Sequence, residues 1–193
     1  MPVFDVLNEE LPQNHFVLFG LPVDFNVDMA QLRAAYKTLL LRFHPDRFVA
    51  ASAAEQNKAL RQTDRINQAY AVLCSLPQRA AYLLQCQGYH VDMQANLADP
   101  EFLVHQLELR EGLEQIAEKK MPESQLDGLV QQAESLQKKE REFFVACFEQ
   151  LLLKQGSAEE PATLQKAYNS MLKLRFIEKL FEEIDVLRHS LLD

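Results

Sequence analysis

The stretch Leu39-Leu40-Leu41-Arg42-Phe43-His44-Pro45-Asp46-Arg47-Phe48 decides the reading of this chain. It closes an amphipathic pattern in which Leu32, Ala35, Tyr36, Leu39 and Phe43 share one helical face by 3.6-residue periodicity. Pro45 has no backbone donor and pushes the preceding residue out of the helical region, so the helix must stop at His44. An imidazole and a carboxylate, His44 and Asp46, are thereby set on a rigid turn. Arg33 and Lys37 lie four residues apart on a neighbouring face, and carrying the helix forward brings His44 to the same side. Most basic pairs of this kind are solvated helix faces, but this one leads straight into His-Pro-Asp. A rival reading makes His44 and Asp46 an acid–base pair in an enzyme. No nucleophile motif, phosphate loop or metal spacing accompanies them.

Composition narrows the field. With 193 residues, 48% of them hydrophobic, the chain can bury one good core or two small ones. A formal net charge of −8 and a pI near 5.2 argue against nucleic acid as the main partner. Only 5 glycines among so many helix formers point to an all-α protein. Cys74, Cys86 and Cys147 are odd in number and lack CxxC spacing, which reads as reduced apolar fillers rather than disulfides or a zinc site. No apolar run reaches membrane-spanning length, and Met1 to Asn14 carries acids but no Arg or Lys, unlike a secretory or transit signal. A bacterial-type cytoplasm is the simplest home.

Caps mark the organisation. Asp28 with Gln31, Ser52 with Glu55, and Ser157 with Glu160 are capping-box patterns at three helix starts. Leu76-Pro77 breaks the chain before a short helix to Gly88, a suitable C-terminal cap. Asp99 and Pro100 suit the cap and first turn of a helix running to Lys119-Lys120. Pro122 restarts an apolar pattern through Leu126, Leu129, Ala133, Leu136, Phe143 and Cys147 to a break at Gly156. The predicted division is a flexible leader 1–14, a small helical domain 15–88, a linker 89–98 and a three-helix bundle 99–193. On the helix after Asp99, Phe102, Leu109, Leu113 and Ile116 line one side, whereas Leu103, Val104 and Leu107 lie on another among Glu108, Arg110 and Glu111. That second side is either a broad buried face or an exposed apolar patch with a charged rim.

The helix ending in His44-Pro45-Asp46, followed by Ile66-Asn67-Gln68-Ala69-Tyr70-Ala71-Val72-Leu73 and Pro77-Gln78-Arg79-Ala80-Ala81-Tyr82, resembles the J-domain, which switches on the ATPase of heat-shock-seventy-class chaperones. The resemblance implies that Arg33, Lys37, Arg42, His44, Pro45, Asp46 and Arg47 meet the chaperone, with Asp46 pairing to an arginine there. Arg47 stands where many members have lysine, and the charge is kept. No Gly/Phe-rich linker or CxxC repeat follows, so the chain does not resemble a general-purpose DnaJ protein.

Three further segments carry a narrower likeness: Asn14-His15-Phe16-Val17-Leu18-Phe19-Gly20-Leu21-Pro22, Phe102-Leu103-Val104-His105-Gln106-Leu107-Glu108-Leu109-Arg110-Glu111 and Leu172-Lys173-Leu174-Arg175-Phe176-Ile177-Glu178-Lys179-Leu180. Together they look like the HscB family, J-proteins of iron–sulfur cluster biogenesis. The resemblance implies an L-shaped, all-α adaptor with no catalytic residue and no resident cofactor or metal. It implies an HscA-type chaperone as partner of the J-domain and an IscU-type scaffold as partner of the C-terminal bundle, with neither nucleic acid nor membrane involved. Scaffold-binding positions of the family fall on Leu103, Val104, Leu107, Glu108, Arg110, Glu111 and Phe176, the last of which periodicity alone would equally make a core aromatic. The runner-up is a J-protein serving a different client.

Overall fold

A computed structural model describes residues 10–119 and 122–192. Among them run seven α-helices and no strand: α1 His15–Leu18, α2 Met29–Phe43, α3 Ala53–Cys74, α4 Leu76–Cys86, α5 Pro100–Ala117, α6 Leu126–Leu153 and α7 Glu160–Leu192. The all-α expectation holds. The chain divides into two compact units, Met1–Leu83 and Leu84–Asp193.

In the first unit α2 and α3 form an antiparallel pair. Leu32 and Phe43 from α2 meet Ala59, Ile66, Ala69 and Leu73 from α3, all fully buried. Tyr36 and Tyr70 stack across the pair at 3.9 Å, and Tyr36 donates its hydroxyl proton to Asn67. Phe16, Leu18, Phe19, Leu21 and Phe25 fill the same core from the segment around α1. Asn14 caps α1 by accepting the amide protons of Phe16 and Val17. Residues 1–9 of the expected leader lie outside the described residues. Just after them, Leu11 is buried, and the Arg65 guanidinium donates to the carbonyls of Leu11 and Pro12.

Ser52 and Glu55 form the complete reciprocal capping box, and the Ser52 hydroxyl holds the Glu55 carboxyl below its ordinary pKa range. The box expected at Asp28 is only half made: Asp28 accepts from Ala30 and Gln31, but the Gln31 amide donates to Gly20 instead of returning to the cap. Arg79 on α4 is buried at 3% exposure. Its guanidinium donates to Leu73 O, at the end of α3, and to Phe25 O, and lies over the Phe25 ring. A buried guanidinium is tolerable only with its donors matched, and here they join α4, the end of α3 and the segment before α2.

In the second unit α6 and α7 run as a long hairpin, and α5 packs on it more sparsely. Leu109, Leu113 and Ile116 of α5 join Leu126, Val130 and Ala133 of α6 and Leu180, Ile184 and Leu187 of α7 in one apolar cluster. Gly112 lets α6 approach closely, since a Cβ there would stand 3.0 Å from a Leu129 methyl. Phe143, expected in the core, is 46% exposed, whereas Phe144 is fully buried. The buried register runs through Ala133, Glu140, Phe144, Cys147 and Leu151, which puts Phe144 and not its neighbour Phe143 on the core side. The Ser157 box is also absent. Glu160 instead accepts from the Gly156 amide and from Tyr89, whose phenol is pushed up to about 12 by burial and by that carboxylate. Of the cysteines, Cys147 is a buried filler, Cys74 half-buried and Cys86 exposed. Lys120, at the expected end of α5, lies outside the described residues.

Gly88, at φ +84°, turns the chain out of α4, a left-handed conformation that favours glycine. Residues 89–98 then lie along α7. Tyr89 donates to Glu160 at 2.7 Å, Tyr168 to Asp92 O at 2.7 Å, and Arg175 to Ala95 O at 3.3 Å. Between these contacts the chain makes a turn, the Ala95 amide donating to Asp92 O at 3.3 Å. Held at three points, the segment is a strap.

His15 stacks on Tyr82 at 4.1 Å. Burial, then the charge of Arg65, lowers the pKa of its ring below 6.5. The unfolded chain therefore takes up this proton first, so the stabilising contribution of neutral His15 is present above about pH 6.5 and is lost as pH falls through the lower folded value. His15→Phe keeps a ring on Tyr82 without the charge. Thermal melts at pH 7.5 and 5.5 should show a smaller acid-induced drop in Tm for the variant than for the parent chain.

Candidate functional site

Each unit carries one candidate surface. In the first, Pro45 ends α2 and leaves the helix's last carbonyls without intrahelical donors. Arg47 folds back to donate to Leu41 O at 2.8 Å and to Arg42 O at 3.4 Å. Thr63 reaches across from α3 to donate to Phe43 O at 3.0 Å in a buried setting. Phe43 and Phe48, at 0% and 1% exposure, anchor the turn on both sides. Its short 3-10 helix, Pro45–Phe48, is capped by His44, whose Nδ1 accepts the Asp46 amide proton at 3.3 Å.

This geometry fixes what the turn presents. With Nδ1 accepting, the neutral imidazole carries its proton on Nε2. The side chains of His44 and Asp46 are 50% and 86% exposed, with the nearer Asp46 oxygen 3.5 Å from Nδ1. An exposed carboxylate held by a rigid backbone is suited to accept an incoming guanidinium in bidentate fashion. Arg33 and Lys37 are exposed along α2, the Arg33 Nε donating to Met29 O. Arg42 is half-buried over the Phe43 ring at 5.5 Å. Lys37, Leu40, Leu41 and His44 border an open apolar hollow of about 370 Å³. Of the seven positions singled out on the first domain, Arg42, His44, Pro45, Asp46 and Arg47 lie at this turn, whereas Lys37 and Arg33 lie farther back along α2. Arg47 spends its guanidinium on the last carbonyls of α2, Leu41 O and Arg42 O, next to the turn itself.

On the second unit α5 sorts its residues cleanly. Phe102, Gln106, Leu109, Leu113 and Ile116 are buried, while Leu103, Val104 and Leu107 are 37%, 56% and 57% exposed. Glu108 and Glu111 are exposed beside them at helical spacing. The question left open by periodicity is answered: this side is an exposed apolar patch with a charged rim. Arg110 is turned away, half-buried, with its Nε 3.1 Å from Glu183 on α7. Phe176 is half-buried and meets Phe102 edge-on at 6.3 Å, with the Arg175 guanidinium 5.2 Å over its ring. It reaches the α5 surface through Phe102.

A group that sequence reasoning passed over lies at the start of this patch. Lys173 places its ammonium 2.7 Å from Asp99, 3.5 Å from the buried Glu140 and 5.3 Å from the Phe102 ring centre. Asp99 also caps α5 through the Phe102 amide, and Lys173 and that amide hold its carboxyl below the ordinary range. Ser170 donates to Glu140 at 3.0 Å. The available signal was a glutamate in the core register of α6, which requires a cation from a facing helix. Among the described residues no group of three or more His, Cys, Asp or Glu side chains could hold a metal ion, and no helix is long and apolar enough to cross a membrane.

Because Thr63 is the donor that meets Phe43 O, Thr63→Val should leave a buried carbonyl unpaired and cost about 1–3 kcal/mol. Urea denaturation followed by circular dichroism would measure this. Thr63→Ser should recover most of it.

Comparison with known proteins matches one family model to each part of the chain. Residues 15–82 match the DnaJ domain family model, and residues 98–185 match the family model described as the HSCB C-terminal oligomerisation domain. The Co-chaperone protein HscB homologs of Photobacterium profundum and Aliivibrio fischeri are 38% and 36% identical over 181 and 180 residues, covering 93% of this chain and 99% of each relative. The solved structure of chaperone HscB from Vibrio cholerae superimposes with a TM-score of 0.75 at 33% identity, covering 93% of this chain and 99% of that one. The human HscB crystal structure, at 23% identity over 92% of this chain and 83% of its own, shares the fold with a TM-score of 0.73. This chain, with its exposed His-Pro-Asp turn on one helical unit and the α5 patch on the other, belongs to the HscB family of J-domain co-chaperones.

Proposed function

We propose that the chain is a non-catalytic adaptor of the bacterial cytoplasm. Its J-domain, residues 15–88, stimulates the ATPase of an HscA-type chaperone. Its C-terminal domain, residues 99–193, joined through 89–98, delivers an IscU-type iron–sulfur scaffold to that chaperone, aiding cluster transfer. The observation that carries this reading is the pairing of an exposed, rigidly backed Asp46 with an exposed apolar patch on α5. An acid–base pair on an open turn has nothing around it to exclude water, so it suits recognition better than turnover.

The mechanism follows from differential binding. Docking on His44, Pro45, Asp46, Arg33, Lys37 and Arg42, with Arg47 holding the turn, accelerates hydrolysis only if it favours the hydrolysis-competent state of the chaperone. The cations on α2 steer an acidic nucleotidase surface, raising encounter rate more than lifetime. The second unit holds the chain's acidic excess, which suits a client with cationic groups around an apolar centre. Leu103, Val104, Leu107 and Phe176 supply the apolar contact, with Glu108 and Glu111 at the rim and Arg110 bracing α5 through Glu183. Fully burying such side chains contributes about 1.5–3 kcal/mol each, and association entropy removes much of the sum. The grip is therefore releasable, as a carrier requires.

Steady-state ATPase of the HscA-type chaperone, measured with this protein, with scaffold and with both, tests the reading. The two together should stimulate more than either alone. His44→Gln should abolish stimulation, while Leu107→Ala should keep the J-domain's own effect and weaken scaffold binding about tenfold. ATP turnover by this chain alone would overturn the adaptor reading. Scaffold binding untouched by Leu107→Ala would point to a different client.

A further inference from the structure

The two halves of α5 are held by different means. Its C-terminal half is packed by Leu109, Leu113 and Ile116 in the shared apolar cluster, with Gly112 seated against Leu129. The N-terminal half, which carries Leu103, Val104 and Leu107, buries only Phe102 and Gln106. Gln106 is 2% exposed, and neither its amide nitrogen nor its amide oxygen has a hydrogen-bond partner. An orphaned buried amide opposes packing instead of supporting it. The half of the helix that bears the patch is therefore short of apolar anchorage.

We infer that Lys173 is a positioning residue for the client surface: through Asp99 and Glu140 it ties the start of α5 to α6 and α7 and so sets where the patch lies. The deduction rests on the adaptor reading for what the patch binds, but not for how it is held. Lys173 touches all three helices at one point, by ion pairs to Asp99 and Glu140 and by its approach to the Phe102 ring. Phe102 in turn meets Phe176 edge-on. A displacement at the ammonium is thus passed to both aromatic rings and to the first two turns of α5. Ion pairs this sheltered lose more when one partner is removed than surface pairs do.

Asp99→Asn separates this role from simple capping, because asparagine caps a helix as well as aspartate does but offers Lys173 no charge. Amide hydrogen exchange of the full chain, without any partner, should show lost protection over 102–107 and unchanged protection over 112–117. Calorimetric titration with the IscU-type scaffold should show about fivefold weaker binding. Lys173→Arg in the otherwise unchanged chain keeps the cation between Asp99 and Glu140 and should leave both readouts near the parent values, and Gln106→Leu should raise protection over 102–107. Unchanged exchange and affinity in Asp99→Asn would show that the cap alone holds α5, and would overturn the inference. If the parent chain does not bind the scaffold, the adaptor reading fails, and the exchange experiment still decides whether Lys173 positions the patch.

Discussion

An α-helix leaves its last four carbonyls and first four amides without internal partners, and a folded chain must meet each buried one from elsewhere. In this protein that requirement organises the functional residues. Proline at 45 cuts α2 short, and the carbonyls left without intrahelical donors draw Arg47 back from the turn and Thr63 across from α3. The end of α3 draws in Arg79, which brings α4 and the segment at Phe25 with it. The start of α5 takes Asp99, which brings Lys173 and through it Glu140. The residues that meet helix ends are the same residues that fix what each surface displays.

The two surfaces differ in their physics. The J-domain turn offers charge and a directional carboxylate on a backbone immobilised by two buried phenylalanines, so orientation is settled before a partner arrives. The α5 patch offers aliphatic area with acids at its edge on a helix whose first turns are weakly packed. Local stability in folded domains is uneven, and elements with few buried apolar contacts open most readily. Under the proposed function, the surface that holds and then releases cargo gains from that unevenness, whereas the surface that presents one fixed geometry to an ATPase does not.

Much of this was legible in the sequence because it was local. Pro45 dictates the break after Phe43, Ser52 and Glu55 spell their own capping box, and Gly88 sits at a positive φ that a side chain would resist. Exposure of Leu103, Val104 and Leu107 followed from their phase relative to Phe102, Leu109 and Ile116, once the number of covering helices was known. What stayed hidden was long-range. Lys173 and Asp99 are distant in sequence, and a buried Glu140 looks like any solvated acid until its facing residue is known. The Asp28 and Ser157 boxes failed for a related reason, because Gln31 and Glu160 had better partners in Gly20, Tyr89 and Gly156.

The strap along α7 turns a connecting segment into a gauge. Tyr89, Asp92 and Ala95 are paired in order with Glu160, Tyr168 and Arg175, with a turn between Asp92 and Ala95 that fixes the spacing of the last two contacts. A flexible tether tolerates insertions and deletions almost freely, since its closure entropy grows only slowly with length. This one does not share that latitude. Adding or removing a single residue between Tyr89 and Ala95 would put every later pairing out of step and shift the backbone that Arg175 uses to steady Phe176. Indels in lineages of this fold should therefore be rare within that segment and tolerated in exposed loops instead, and graftings that swap one domain for another should keep the strap with the bundle it measures.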